Sequence, residues 1–251
     1  MIIIGITGAI GHGKTTLAEA FLKAELNSLH LESFYVVAEV ADEMHEHLKT
    51  IPEVSDLESI NKWLSKLPDI LQKVTHLEQR PEPILLTAEL INTNAVEYEK
   101  LFVHLENLRA NPDLLKQKIT NQNKPQYRAI LQWIGGYVAT RIDARAWYRE
   151  LILRARQAEG DGIKLVVIGG VRFPNDAAVL HEAGATVIRI YRPNAPRPDS
   201  ADPTERENEA ILTDTTVVND GSLEQLDRSA VTLLSDIIQG QVQPEYKAST
   251  L

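Results

Sequence analysis

The stretch Ile2-Ile3-Ile4-Gly5-Ile6-Thr7-Gly8-Ala9-Ile10-Gly11-His12-Gly13-Lys14-Thr15-Thr16 decides the reading of this chain. Gly8 to Thr15 fits the phosphate-loop spacing G-x-x-x-x-G-K-[ST] at every position. Each residue type has a physical reason. The glycines let the backbone turn tightly and point N–H groups inward. The following helix brings its positive end to the same place. Lys14 is then placed to reach the β- and γ-phosphates of a nucleotide, and the Thr15 hydroxyl to ligate Mg²⁺. With glycine at about 7% of average composition, a chance match in a chain this long has odds on the order of 1%. A β-branched strand enters the loop, and Thr16 to Leu22 leaves it with helical spacing. Ile10, Gly11, His12, Gly13, Lys14, Thr15 and Thr16 are therefore the expected cradle for a nucleotide's phosphates. His12 occupies a variable position and is given no catalytic role.

The 251 residues carry a formal net charge of -9 and are 43% hydrophobic, which suits one larger domain or a core with an insertion. There is no cysteine, which excludes disulfides, a thiol nucleophile and cysteine-based metal sites. The N-terminal apolar run is short and interrupted from Gly5 to Lys14, so neither a signal peptide nor a membrane span is expected. The expectation is a soluble, cytoplasmic protein with no membrane partner. The acidic balance argues against nucleic-acid binding, which calls for a basic face.

Working outward, Phe34-Tyr35-Val36-Val37-Ala38 reads as a second strand and Ala41 to Lys49 as a helix. Residues 51–125 change character. Leu57, Ile60, Leu64, Leu67, Leu71 and Val74 recur at three- and four-residue steps along one helix face, with Pro68 restarting the helix. Leu101, Leu105 and Leu108 form a second such face. Asn111-Pro112-Asp113 reads as a cap with proline at the first helical position. A polar hinge, Asn121 to Pro125, closes this helical insertion. Further helices are expected over 126–160, from Asn175, near Pro203 and from Ser222. Strands are expected at Lys164–Gly170, Ala185–Tyr191 and Thr215–Asn219. Five strands alternating with helices predict a doubly wound, parallel α/β sheet built from 1–50 and 126–251, with 51–125 inserted.

Several residues carry candidate chemistry. Arg172 follows the third strand at the edge where open α/β sheets bind ligands. Arg189, Arg192, Arg197 and Arg206 surround the proline-stiffened loop Arg192 to Pro198, which reads either as a lid over transferring phosphates or as a solvated basic loop. Gln132 and Trp133 fit either a pair that holds and stacks a base or a surface amide beside a core tryptophan. Arg141 and Asp143 fit an ion pair ordering a helix end, or Arg141 meets an acceptor phosphate. Asp202-Pro203-Thr204-Glu205 reads as an N-cap followed by a first-turn proline. His45 and His47 lie on different helix faces, so they are expected as surface histidines rather than as a metal pair.

Together these residues resemble the phage-type deoxynucleoside monophosphate kinases, relatives of animal phosphomevalonate kinase. Beyond the phosphate loop, Leu131-Gln132 with Gly135, Arg141, Asp143 and Trp147 looks like that family's middle motif. Val171-Arg172-Phe173-Pro174-Asn175-Asp176, Pro203-Thr204-Glu205 and Val218 to Leu223 look like its later ones, in the family's order. The resemblance covers about 1–50 and 126–235. It implies a P-loop kinase-type five-stranded sheet with an arginine-bearing lid at about 191–206. The implied reaction is transfer of the γ-phosphoryl of ATP to a (deoxy)nucleoside monophosphate, with Mg²⁺. Lys14, Arg172, Arg192 and Arg197 become the catalytic candidates. Asp42, Gln132, Trp133, Arg141, Asp143, Arg172 and Glu205 become the acceptor-binding candidates, Thr15 the metal ligand, and the helical insertion one wall of the acceptor pocket.

Gly170 departs from the family's usual aspartate, whose role would fall to Asp42, Asp143 or solvent; Asp202 and Gly136-Tyr137 also depart from it. Two other functions fit the same residues. One is phosphorylation of another small phosphorylated acceptor, and the other is an ATP-binding switch with no acceptor. Base preference and oligomeric state are left open, a homodimer included.

Overall fold

The computed structural model describes residues 1–51, 56–195 and 207–242. It divides into two compact units, Met1–Ser33 with Leu151–Leu251, and Phe34–Glu150. The helical unit thus takes in Phe34–Leu48 and 126–150 besides the expected insertion. Among the described residues no helix is long and apolar enough to cross a membrane.

The first unit is a five-stranded parallel sheet of β1 (Ile2–Thr7), β2 (Ser28–Glu32), β3 (Leu165–Val171), β4 (Thr186–Tyr191) and β5 (Thr215–Val218). Their spatial order is β2-β3-β1-β4-β5. Ile4 and Ile6 are fully buried with Val167, Ile188 and Ile190 against one side of the sheet. There they meet Leu17 and Phe21 of α1 (Lys14–Ala24), and Leu226 and Leu234 of the C-terminal helix Leu223–Ile238. Alternation along a strand sends Gly5 to the other face. On that face it meets Leu180 of the helix Pro174–Glu182. The C-terminal helix starts with a reciprocal cap: Ser222 Oγ accepts from Gln225 N at 3.3 Å, and Gln225 Oε1 accepts from Ser222 N at 2.7 Å.

The strand order fixes where ligands can approach. The chain leaves β1 toward the β2 edge and leaves β3 toward the β4 edge. Because such crossovers are right-handed, their helices take opposite faces. A crevice then opens at the carboxyl ends of β1 and β3, between the loop after Thr7 and the loop after Val171.

The strand expected at Phe34–Ala38 is a helix. β2 lies earlier, at Ser28–Glu32, and α2 runs Ser33–Leu48. Phe34, Val37, Ala41, His45 and Leu48 are all buried, as are Val36, Val40 and Met44. An apolar face running the length of a sixteen-residue helix outweighs the β preference of one five-residue run.

The helical unit continues with α3 (Leu57–Leu64), α4 (Leu67–Thr75), α5 (Ala88–Thr93), α6 (Ala95–Ala110), α7 (Arg128–Tyr137) and the start of α8 (Ala146–Gly160). The helices Pro174–Glu182 and Leu223–Ile238 are α9 and α10. Asp56 caps α3, its carboxylate accepting from Ser59 N at 2.9 Å, and Pro68 sits in the first turn of α4 as expected. The expected Asn111 cap is different. Pro112–Lys116 is a single 3₁₀ stretch, and the Asn111 side chain makes no capping bond. Trp63 is buried, its Nε1 donating to Met44 O at 2.8 Å. Asn61 imitates a strand partner: Nδ2 donates to Leu86 O at 3.0 Å and Oδ1 accepts from Leu86 N at 2.7 Å. That pins the irregular chain between α4 and α5.

His45 is not the expected surface histidine. It falls four residues after Ala41 and three before Leu48, on the apolar face of α2. It is 2% exposed and stacks on His104 of α6, which is 0% exposed, with Nε2 atoms 2.9 Å apart. His47 makes weak contacts at the rim, 3.4 Å from Lys62 O. No group of three metal-binding side chains occurs among the described residues.

Candidate active site

The phosphate loop folds as its glycines require. Gly8 has φ +148°, and a Cβ there would sit 2.5 Å from Ile190 O. Gly13 has φ +102°, and a Cβ there would meet Asn219 Nδ2 at 2.6 Å. A side chain at either position would push the loop off its support. Gly13 is also the N-cap of α1, which therefore has no side-chain cap, and no acidic residue lies in its first turn. The first N–H groups of the helix and its positive end are left open to an anion. Ile10 is 71% exposed at the rim. Thr15 is exposed and Thr16 half-buried. Lys14 Nζ donates to Gly8 O at 2.6 Å and to Ala9 O at 2.9 Å, arching over the loop it serves.

The ends of β4 and β5 brace this loop. Asn219 Nδ2 donates to His12 O at 3.0 Å. The His12 ring lies edge-on to Tyr191, with Nδ1 3.3 Å from Ile190 O. His12 thus holds the loop against the sheet. Asn219 also opens a cavity of 610 Å³ between β5 and α10, bordered by Thr216, Ser222, Gln225 and Ser229. Asn219 falls in the closing motif, Val218 to Leu223, but the motif alone assigns it no role. Its place directly after a strand, at the ligand edge, is the signal that marks it.

Arg172 lies across the crevice, in the turn after β3, and is exposed. Asp176, buried at 6% exposure, builds that turn. Its Oδ2 accepts from Arg172 N at 3.1 Å and from Phe173 N at 3.0 Å. Burial outweighs those two bonds and raises the carboxyl to a pKa of about 6. Arg192 follows β4 at the same sheet edge and is exposed.

Arg189 is no part of a lid. Its guanidinium donates to Asn208 O at 3.1 Å and to Ile211 O at 2.9 Å, tying the chain after the loop back to β4. Arg197, Asp202, Glu205 and Arg206 lie outside the described residues.

The remaining acceptor candidates are in the helical unit. Trp133 is 2% exposed and stacks on Tyr137, so Tyr137 is the more accessible ring there. Both border a cleft of 430 Å³ with Gln132, Arg141, Glu97 and Lys100. Arg141 and Asp143 do not pair with each other. The Arg141 guanidinium meets Glu97 at 2.7 Å and Asn94 at 2.9 Å, because a π-helical stretch, Val138–Ile142, turns it toward α6. Asp143 instead pairs with Arg149 and accepts from Arg145 N at 2.8 Å, starting α8. Asp42 is likewise structural, its carboxylate accepting from Ile119 N at 3.1 Å. Desolvation raises its pKa, against the pull of that bond and of Lys118.

A parallel five-stranded sheet, a phosphate loop between β1 and α1, and an arginine across the β1–β3 crevice define a P-loop kinase-type α/β protein. The chain belongs to the deoxynucleotide monophosphate kinase family, whose model matches residues 66–230, about two thirds of its length. The match contains Gln132, Arg141, Arg172 and Arg192; the phosphate loop lies before it and rests on its own motif and geometry. No curated protein matches the chain.

Proposed function

We propose that this protein transfers the γ-phosphoryl group of ATP to a deoxynucleoside monophosphate, giving the diphosphate. What supports this reading is that the phosphate loop follows β1 and Arg172 follows β3, at the carboxyl ends of two directly paired strands. Such a reaction needs no covalent enzyme intermediate. Both reactants are anions, so catalysis is in-line positioning and charge neutralisation.

The loop N–H groups and the start of α1 take the donor phosphates. Lys14 leaves the loop carbonyls for the transferring group. The polar cavity that opens at Asn219 suits the donor's nucleoside. Thr15 offers an exposed hydroxyl at the first turn of α1, and with phosphate oxygens and water this makes an all-oxygen set that fits Mg²⁺. When bound, the ion would draw charge from the phosphate oxygens. Arg172 offers the acceptor a fork of fixed donors, and Arg192 adds positive charge at the same edge. In the helical unit, the cleft beside Tyr137 offers a nucleobase an aromatic ring, the Gln132 amide and a cation.

A panel of deoxynucleoside and other phosphorylated acceptors, incubated with ATP and Mg²⁺, tests the reading. Formation of a deoxynucleoside diphosphate is the expected result. ATP binding with no acceptor turned over would make the chain a nucleotide switch instead. Arg172→Lys tests the acceptor assignment. Lysine keeps the charge but loses the bidentate geometry that suits a phosphate dianion. The monophosphate KM is expected to rise, or kcat to fall, at least ~10-fold, roughly one charge-assisted hydrogen bond. ATP affinity stays level. Normal monophosphate kinetics would make Arg172 structural.

A further inference from the structure

At the point where the crevice opens, the ladder between β1 and β3 slips. Gly5 pairs with Ile168, but Thr7 pairs with Val171, so β3 carries one extra residue there. Gly170 lies inside the slip with φ +70°, a conformation that favours glycine. A bulge of this kind interrupts the backbone ladder and re-aims the strand end that follows it, here Val171 and then Arg172.

Side chains take over where the ladder is interrupted. Asn208 Nδ2 donates to Thr7 Oγ1 at 2.8 Å, and Thr7 Oγ1 donates onward to Val171 O at 2.9 Å. A longer contact runs from Asn208 Nδ2 to Val171 O at 3.4 Å. The other end of the amide faces Arg189, whose Nη1 is 3.5 Å from Asn208 Oδ1. Thr7 is 0% and Asn208 6% exposed, so water does not compete for these bonds. Thr7 is the residue before the phosphate loop, and Val171 the residue before Arg172.

We infer that Asn208, acting through Thr7, locks the bulged register of β3 against β1 and so sets the spacing between the phosphate loop and Arg172. It is a positioning residue for phosphoryl transfer. The inference rests on the kinase reading above and adds to it the element that holds donor and acceptor sites in line. Small misplacements are costly at such a site, since an error of about 1 Å can lower the rate on the order of 10²-fold.

The test uses Asn208→Asp, Thr7→Val and Thr7→Ser in the full chain, with thermal unfolding followed alongside. Aspartate keeps the size of Asn208 but loses the donor, valine removes the relaying hydroxyl, and serine keeps it. Two ligands are titrated. ATP needs the phosphate loop alone. An adenosine–pentaphosphate–deoxynucleoside compound, built with the base that the monophosphate panel selects, needs both anion sites at their native spacing.

Asn208→Asp and Thr7→Val are expected to lose at least ~10-fold in kcat and in pentaphosphate affinity, with ATP affinity within ~2-fold, while Thr7→Ser stays near wild type. Unchanged kcat in the folded variants, or equal losses for both ligands, would overturn the inference. So would a Thr7→Ser protein as impaired as Thr7→Val. A wild-type protein that binds ATP but neither turns over a monophosphate nor binds the pentaphosphate overturns the kinase reading, and this inference with it. Wild-type binding with indifferent variants overturns the inference alone.

Discussion

Lys14→Ala is expected to abolish turnover, by ~10² to 10³-fold in kcat, while the protein stays folded. Both halves follow from where Lys14 sits. It is the first residue of α1, but the residues of α1 that build the core are Leu17, Ala18, Ala20 and Phe21. Alanine is the best helix former, so the start of the helix survives the exchange. The loss falls on charge. The ammonium, held 2.6 Å from Gly8 O and 2.9 Å from Ala9 O, stands over the mouth of the loop where a transferring phosphoryl group would gather negative charge. Removing one such fixed electrostatic partner costs far more in the transition state than in the ground state. ATP affinity should therefore fall less than kcat does. Thermal unfolding and single-turnover phosphoryl transfer, measured on the same preparation, check the two halves. Wild-type turnover in a folded Lys14→Ala protein would sink the assignment of this loop as the donor site.

The second large effect is a loss of stability in acid, confined to the helical unit. His45 and His104 share one Nε2-to-Nε2 contact of 2.9 Å, so one ring must donate and the other accept. Both Nδ1 atoms are buried without a partner. A proton added to this pair brings an uncompensated charge into the core. Burial accordingly lowers His45 to a pKa of about 4, helped by Lys49 and opposed by Glu46. It lowers His104 to about 3, with His45 adding to the effect. Tyr127 closes the pocket with its ring and no charge.

The sign follows directly. Near neutral pH both states hold the rings neutral. Below the ordinary histidine value of about 6.5 the unfolded chain takes up protons that the folded chain refuses, until the folded values are reached. Stability falls through that window by up to ~1.4 kcal/mol per pH unit for each ring, or about 3 kcal/mol in all between pH 6.5 and 5. All three tryptophans, Trp63, Trp133 and Trp147, lie in the helical unit. Denaturation followed by their fluorescence therefore reports on that unit. Replacing both histidines by leucine should flatten the pH dependence. A wild-type curve already flat from pH 7 to 5 would contradict the account.

Much of the fold was legible because it is written locally. The phosphate loop, the apolar runs of β3 and β4, Pro68 and the helix from Ser222 each declare themselves within a few residues. β2 did not. Ser28-Leu29-His30-Leu31-Glu32 alternates, but weakly, and all five residues are only half-buried. The neighbouring Phe-Tyr-Val-Val run offers a stronger strand signal and becomes a helix, because its partners lie further along at helical spacing.

The site was legible in the same measure. Lys14, Thr15 and Arg172 sit in motifs. The partners of Arg141 and Asp143 depend on where a π turn faces, which spacing along the chain does not encode. Asn208 and Thr7 are 201 residues apart, and nothing near either one announces the other.

The position of the helical unit in the chain has a consequence for synthesis. β1 and β2 are made first, yet they do not touch; β3 lies between them, and residues 33–164 must be made before it exists. At ribosomal speeds of about 5–20 residues per second, β1 waits roughly ten to thirty seconds for its first sheet neighbour. Over that interval the emerging chain displays Ile2-Ile3-Ile4 with unpaired edges, while the helices of 34–150, whose contacts are more local, have time to assemble. The nascent protein is thus a finished helical body preceded by two open strands, the form in which a chaperone or an aggregate would meet it.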